Sequence, residues 1–209
     1  MPTSRAPGSS LVGAVLGRRR RGISNDMTNP KPIAPGTRIG HVHLKVSVLQ
    51  RSLDFYCGVL GFELMQRMGN SAAFISAGGY HHHIGLNTWE SAGGEAPPIG
   101  TTGLYHLAIL YPSRAELADA LRRVIEAGIP LDGTADHGVS EAHYLRDPDD
   151  NGVELYRDRP EEEWPRDREG KLAMFTRPLD VRSLLAEANG AKLLKTAQYD
   201  REAVGPDKP

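Results

Sequence analysis

Ile39-Gly-His-Val-His-Leu-Lys-Val-Ser-Val48 alternates, with Val42, Leu44, Val46 and Val48 on one side and His41, His43 and Lys45 on the other. Successive side chains of a strand point to opposite faces, so this stretch reads as a half-buried strand whose polar face carries imidazoles. Downstream, Gln50 to Leu60 places Leu53, Tyr56, Val59 and Leu60 at helical spacing, and Gly61 stands where a helix C-cap belongs. Three strand-like runs follow, over 62–68, 72–77 and 81–89, with Gly78 and Gly79 between the last two. The order is strand, helix, strand, strand, strand.

A Gly/Pro-rich loop over 91–103 leads into a second pass of the same grammar. Residues 104–111 read as a strand, 114–127 as a helix closed by Gly128, and 129–135, 142–146 and 153–158 as strands. His41 corresponds to His106, Gly61 to Gly128, and the strand around His83 to the strand around Glu154. The predicted fold class is α+β: two βαβββ modules over 39–158 forming a curved mixed sheet around a metal-binding cavity. Residues 1–38 read as a disordered tail, with Met27 as a possible true start. Residues 159–209 read as a C-terminal extension with a short helix near Asp180 to Ala188, expected to be a surface appendage.

Composition narrows the function classes. The 209 residues carry 25 Lys and Arg against 26 Asp and Glu, a net charge of -1, so no global field draws the chain to nucleic acid or to lipid. Five arginines fall within residues 1–25, but no aromatic residue interleaves them as single-strand binding would require. The apolar stretch Leu11 to Leu16 precedes its basic cluster, the reverse of a secretory signal, and no apolar run reaches membrane-spanning length. Cys57 is the single cysteine, which rules out an internal disulfide and fits a reducing, cytoplasmic setting.

The 8 histidines invite a search for imidazole chemistry. By strand alternation His41, His106 and Glu154 lie opposite apolar neighbours, and Ile84 and Leu86 put His83 and His81 on the same polar face. If the modules fold against each other, His41, His106, Glu154 and His83 converge as a metal site of imidazoles and a carboxylate. His43, His82 and His137 read as structural, although His137 lies near Tyr144 in sequence and within reach of the cavity. Asp147-Pro-Asp-Asp-Asn-Gly152 matches the opening of a calcium loop, but Asp158 stands where that loop has glutamate, and the reading is a hairpin turn.

His41-Val-His-Leu-Lys-Val46, Gln50-Arg-Ser-Leu-Asp-Phe-Tyr56, Val59-Leu-Gly-Phe62, Tyr105-His-Leu-Ala108 and Asp147-Pro-Asp-Asp-Asn-Gly-Val-Glu-Leu-Tyr156 together resemble the vicinal oxygen chelate superfamily. That superfamily includes glyoxalases, type I extradiol ring-cleaving dioxygenases, and fosfomycin- and bleomycin-resistance proteins. The resemblance covers 39–158 and lies nearest the catechol 2,3-dioxygenase branch, whose members usually have two such module pairs where this chain has one. It implies His41, His106 and Glu154 as metal ligands, and Tyr144, ten residues before Glu154, as the branch's tyrosine. Two imidazoles and a carboxylate suit Fe(II), with Mn, Ni or Zn as alternatives, and leave positions for a catechol-like chelator and dioxygen. His83 is then the candidate acid/base and Tyr144 the hydrogen-bond donor. A glyoxalase-like isomerase or lyase, with His83 as a fourth ligand to a Lewis-acidic ion, is the alternative, and a non-catalytic metabolite-binding protein is the third reading. The implied partner is a small molecule, with a homodimer left open.

Overall fold

The computed structural model describes residues 32–188. The expected basic tail and the start at Met27 lie outside them. Residues up to Ile39 form a separate unit, described over 32–39 as exposed chain with one turn closed by Thr37 N–H donating to the Ala34 carbonyl (2.9 Å).

From Gly40 onward the elements come in the predicted order. Strand β1 (Val42–Lys45) leads to α1 (Leu49–Leu53), which widens into a π-helical segment over Asp54–Val59. Strands β2 (Glu63–Met68), β3 (Ala72–Ser76) and β4 (Ile84–Asn87) complete the first module. The second has β5 (Leu107–Leu110), α2 (Arg114–Glu126), β6 (Leu131–Asp136), β7 (Ser140–Arg146) and β8 (Gly152–Asp158). Each module builds its own four-stranded mixed sheet, ordered β1-β4-β3-β2 and β5-β8-β7-β6. Both sheets pair their first and last strands in parallel, and both carry a bulge at the equivalent place, Leu64/Gln66 and Leu131/Gly133.

The helices owe their ends to local chemistry. In α2, Ser113 Oγ accepts the Glu116 N–H (3.4 Å), and Gly128 at φ 70° turns the chain out into β6. In the first helix, Leu60 N–H reaches the Phe55 carbonyl five residues back (3.0 Å), the wide pitch of a π turn, before Gly61 leaves at φ 87°. The apolar faces of both helices meet the apolar faces of both sheets in one core, with Val46, Tyr56, Ile75 and Leu86 from the first module and Leu117, Leu121, Val124 and Leu155 from the second. The opposite faces of the sheets carry His43 in the first module and Glu154 in the second.

The extension differs from its expected role as a surface appendage. Its helix α3 (Val181–Leu185) is too short to be stable alone. It is held because Leu184 is fully buried in the common core, a burial worth about 2 kcal/mol. Arg114 of α2 adds bonds to the Ser183 carbonyl, Ser183 Oγ and the Glu187 carboxylate, and the same guanidinium reaches the buried Glu141 (2.8 Å).

One buried group is at odds with its surroundings. His143 in β7 is fully buried, and neither ring nitrogen has a hydrogen-bond partner among the described residues. Burial pushes its pKa down from 6.5 to about 3, so the folded protein keeps it neutral. Between those values the unfolded chain binds a proton that the native chain does not, so stability falls as pH drops from 6.5 toward 3, at about 1.4 kcal/mol per unit. His143→Leu is expected to be neutral or stabilising at pH 7.5 and to flatten this acid slope. Chemical denaturation midpoints of both proteins across that range check it, and an unchanged slope in the variant would contradict it.

Candidate metal centre

The first module gathers three imidazoles. His41 immediately precedes β1, His43 lies within it, and His82 lies in the bend before β4. Their donor atoms all fall within 4.8 Å of one another, and the ring centroids of His41 and His82 are 4.5 Å apart. The parallel register sets His43 opposite Gly85, and a Cβ on Gly85 would stand 2.5 Å from the His43 ring. The missing side chain is therefore the seat of the imidazole. His82 Nε2 is buried with no hydrogen-bond partner among the described residues. Desolvation, then the neighbouring imidazoles of His41, His81, His43 and His83, lower its pKa and favour the neutral ring.

His83 is placed differently from the sequence reading. Its Nδ1 pairs with Ser76 Oγ (2.9 Å) and accepts the Ala77 N–H (3.4 Å), and its ring lies against Tyr80. Regular strand structure begins only at Ile84, so alternation counted back from Ile84 and Leu86 does not carry into 81–83. His43 and His82, both read as structural, are the residues that meet His41. The usable signal was Gly85, since a glycine inside a strand marks a close approach by something else.

The second module gathers a carboxylate chain. His106 Nε2 lies 2.9 Å from Glu154 Oε2, and Glu154 Oε1 accepts the Tyr144 hydroxyl at 3.2 Å. Tyr144 Oη also lies 2.8 Å from His137 Nε2. Burial, then the Glu154 charge, raises the Tyr144 pKa, so this side chain remains a phenol and a donor. Gly152 allows His106 to approach β8: a Cβ there would stand 2.2 Å from the Tyr105 carbonyl oxygen and 3.0 Å from His106 Cβ. A cavity of about 270 Å³ opens beside the pair, lined by Tyr105, His106, Tyr144, Arg146 and Gly152 among others. That is near the lower end of small-molecule sites, roughly 300 Å³.

The registers bear out the correspondence of the strand around His83 with the strand around Glu154: Val42 pairs with Ile84 as Leu107 pairs with Val153, so the position equivalent to Glu154 is Gly85. Phe74 faces Gly85 as Tyr144 faces Glu154. One module thus fills the place with an imidazole over a glycine, and the other with a carboxylate beside Ala108.

The structure brings together His106, Glu154 and Tyr144 and adds His137. It sets His41 with His43 and His82 instead, and no trio of His106, Glu154 and His41 lies within the 4.8 Å that the three imidazoles meet. Both clusters fit a divalent ion chemically. Two ligands at right angles on an ion about 2.1 Å away lie about 3 Å apart, the spacing of His106 and Glu154. His106 Nδ1 is buried and has no partner among the described residues.

A family model described as the Glyoxalase/Bleomycin resistance protein/Dioxygenase superfamily matches residues 38–155, and the chain belongs to that superfamily. A catechol-2,3-dioxygenase of Bacillus subtilis is 47% identical over 152 residues, 73% of this chain and 52% of the relative. The chain therefore spans about half the length of that relative. A lactoylglutathione lyase of Escherichia coli O157:H7 is 30% identical over 132 residues, 58% of this chain and 93% of the relative. Among solved structures, a glyoxalase/dioxygenase from Nostoc punctiforme matches the fold with a TM-score of 0.52 at 20% identity, over 63% of this chain and 99% of that one. No helix among the described residues is long and apolar enough to cross a membrane.

The two glycine seats respond differently to a methyl group. Gly152→Ala drives Cβ into a backbone oxygen, whereas Gly85→Ala meets only the end of a side chain that can swing away. Overpacking against backbone costs about 2 kcal/mol, and urea denaturation is expected to show that loss for Gly152→Ala and a smaller one for Gly85→Ala. The reverse order would contradict this account of the seats.

Proposed function

We propose that this chain is a metal-dependent enzyme of the extradiol ring-cleaving type, acting on a catechol-like small molecule, with His41, His106 and Glu154 holding the ion. The observation that carries the reading is the carboxylate of Glu154, shared between an imidazole at 2.9 Å and a phenol at 3.2 Å beside an open cavity. A divalent ion held there, Fe(II) first among the candidates, would supply chelation of two vicinal oxygens and electron transfer to dioxygen. The protein's own tasks are then few. Glu154 and His106 orient one another, Tyr144 presents a hydrogen bond to the carboxylate from the cavity wall, and the neutral ring of His82 accepts the proton of a substrate hydroxyl, the role that the sequence reading gave to His83.

Because His41 stands with the first module's imidazoles, the proposal includes a second copy of the chain that supplies it. Support comes from the uncovered edge strand β2, exposed along its whole length with Leu64, Met65 and Met68 in the open, and from Trp89, which is 59% exposed. An exposed edge with apolar side chains is a surface suited to association.

The lyase reading is the second, favoured by one observation: the lactoylglutathione lyase relative is matched over 93% of its length and the dioxygenase over 52%. Catechol-dependent oxygen uptake separates the two, since the Lewis-acid reaction consumes no oxygen.

Metal analysis of anaerobically purified variants tests the ligand set. His41→Ala, His106→Ala and Glu154→Ala are each expected to lower metal affinity by more than the roughly tenfold that loss of an outer-shell partner costs, while His43→Ala keeps its metal. Co-purified His41→Ala and Glu154→Ala subunits are expected to recover one intact site per pair. Full metal in His106→Ala and Glu154→Ala, with loss in His43→Ala and His82→Ala, would move the ion to the three-imidazole cluster.

A further inference from the structure

The segment after the family-matched region returns to the second module. Arg177 and Asp136 exchange backbone hydrogen bonds (2.8 and 2.9 Å), and Phe175 N–H donates to the His137 carbonyl (3.3 Å), so 175–177 run antiparallel along the end of β6. Gly138, at φ 77°, makes room for the Phe175 ring, which would lie 2.6 Å from a Cβ there. At this junction His137 Nδ1 meets two oxygens, the Phe175 carbonyl and Thr176 Oγ1, each at 3.2 Å. Its Nε2 meets the Tyr144 hydroxyl at 2.8 Å.

A neutral imidazole has one N–H, and the two tautomers have different consequences for Glu154. If Nδ1 carries the hydrogen, it donates to the Phe175 carbonyl, and Nε2 must accept the Tyr144 hydroxyl hydrogen. Glu154 Oε1 then faces a phenol lone pair. If Nε2 carries the hydrogen, Thr176 Oγ1–H donates to Nδ1, Nε2–H donates to Tyr144 Oη, and Tyr144 donates to Glu154. The second arrangement makes three hydrogen bonds against two, and the additional one is charge-assisted, about twice as strong as a neutral bond. It requires a hydroxyl donor at Nδ1, and Thr176 is that donor.

We propose that Thr176, in the C-terminal extension, is a positioning residue of the site: its hydroxyl selects the Nε2–H tautomer of His137 and so directs the Tyr144 hydroxyl to Glu154. The effect on turnover rests on the function proposed above, while the tautomer does not.

Long-range proton–nitrogen correlation spectra of the full chain with nitrogen-labelled histidine, recorded near pH 8, read the tautomer directly. His137→Gln assigns the signals. The expected result is a protonated Nε2 and a bare Nδ1 in the natural chain, inversion in the isosteric Thr176→Val, and return to the natural pattern in Thr176→Ser. A protonated Nδ1 in the natural chain, or an unchanged tautomer in Thr176→Val, would overturn the proposal. Where the natural chain consumes oxygen with a catechol, Thr176→Val is expected to lose about tenfold in rate and Thr176→Ser to restore it. Inversion in a chain that never consumes oxygen would support the tautomer assignment and count against the dioxygenase reading alone.

Discussion

Asp149 reaches from the turn between β7 and β8 into the start of α1 and joins the two modules there. Its Oδ1 accepts the Ser47 N–H (3.0 Å), the Ser47 hydroxyl (2.6 Å) and the Arg51 guanidinium (2.6 Å), and its Oδ2 accepts the Ser52 hydroxyl (3.3 Å). Val48, at the N-cap of α1, makes no side-chain cap bond, and Asp149 instead braces the residue before it and the Arg51 and Ser52 side chains of the helix. The same turn holds Asp147, whose buried carboxylate accepts the Tyr56 hydroxyl (3.0 Å) and the Asn151 side-chain amide (3.0 Å). Burial raises the Asp147 pKa against the opposing pull of these bonds, and it raises that of Tyr56 well above its ordinary value. Two carboxylates thus hold the helical sides of the modules together, and the faces that carry His43 and Glu154 are left outward.

That constraint explains why two sheets of one topology carry different chemistry. Their apolar faces are committed to a common core, so variation is tolerated on the opposite faces. There a glycine in one module and a glutamate in the other decide whether an imidazole or a carboxylate occupies the equivalent place. The phenol of Tyr144 stands where the first module has Phe74, which couples a hydrogen-bond donor to the carboxylate and a purely apolar ring to the imidazoles. Chemistry follows the side chains at two register positions.

Much of this was legible in the residues. Alternation in 39–48 and its repeat near 104–111 located the first strand of each module, and the opposite-face argument put His106 and Glu154 on one surface, where they meet. The hairpin reading of 147–152 also agrees with the turn observed, although nothing in its composition indicated that its carboxylates would reach the first helix of the other module. Alternation failed at His83, because face assignment holds only inside a regular strand and β4 starts one residue later. The docking of Leu184 and the reach of Thr176 to His137 were not legible for a different reason. Both join residues far apart in sequence, and the five-residue helix that carries Leu184 has too few turns to display a periodic apolar face.

The central claim is that a carboxylate from the second module and imidazoles from both modules share one ion. X-ray absorption of the anaerobic Fe(II)-loaded protein addresses it directly, since scattering from imidazole rings can be counted apart from oxygen donors. The account predicts two imidazoles with a carboxylate oxygen, the imidazole contribution falling by one in His106→Ala. Three imidazoles without a carboxylate, unchanged in that variant, would place the ion among His41, His43 and His82 and contradict it.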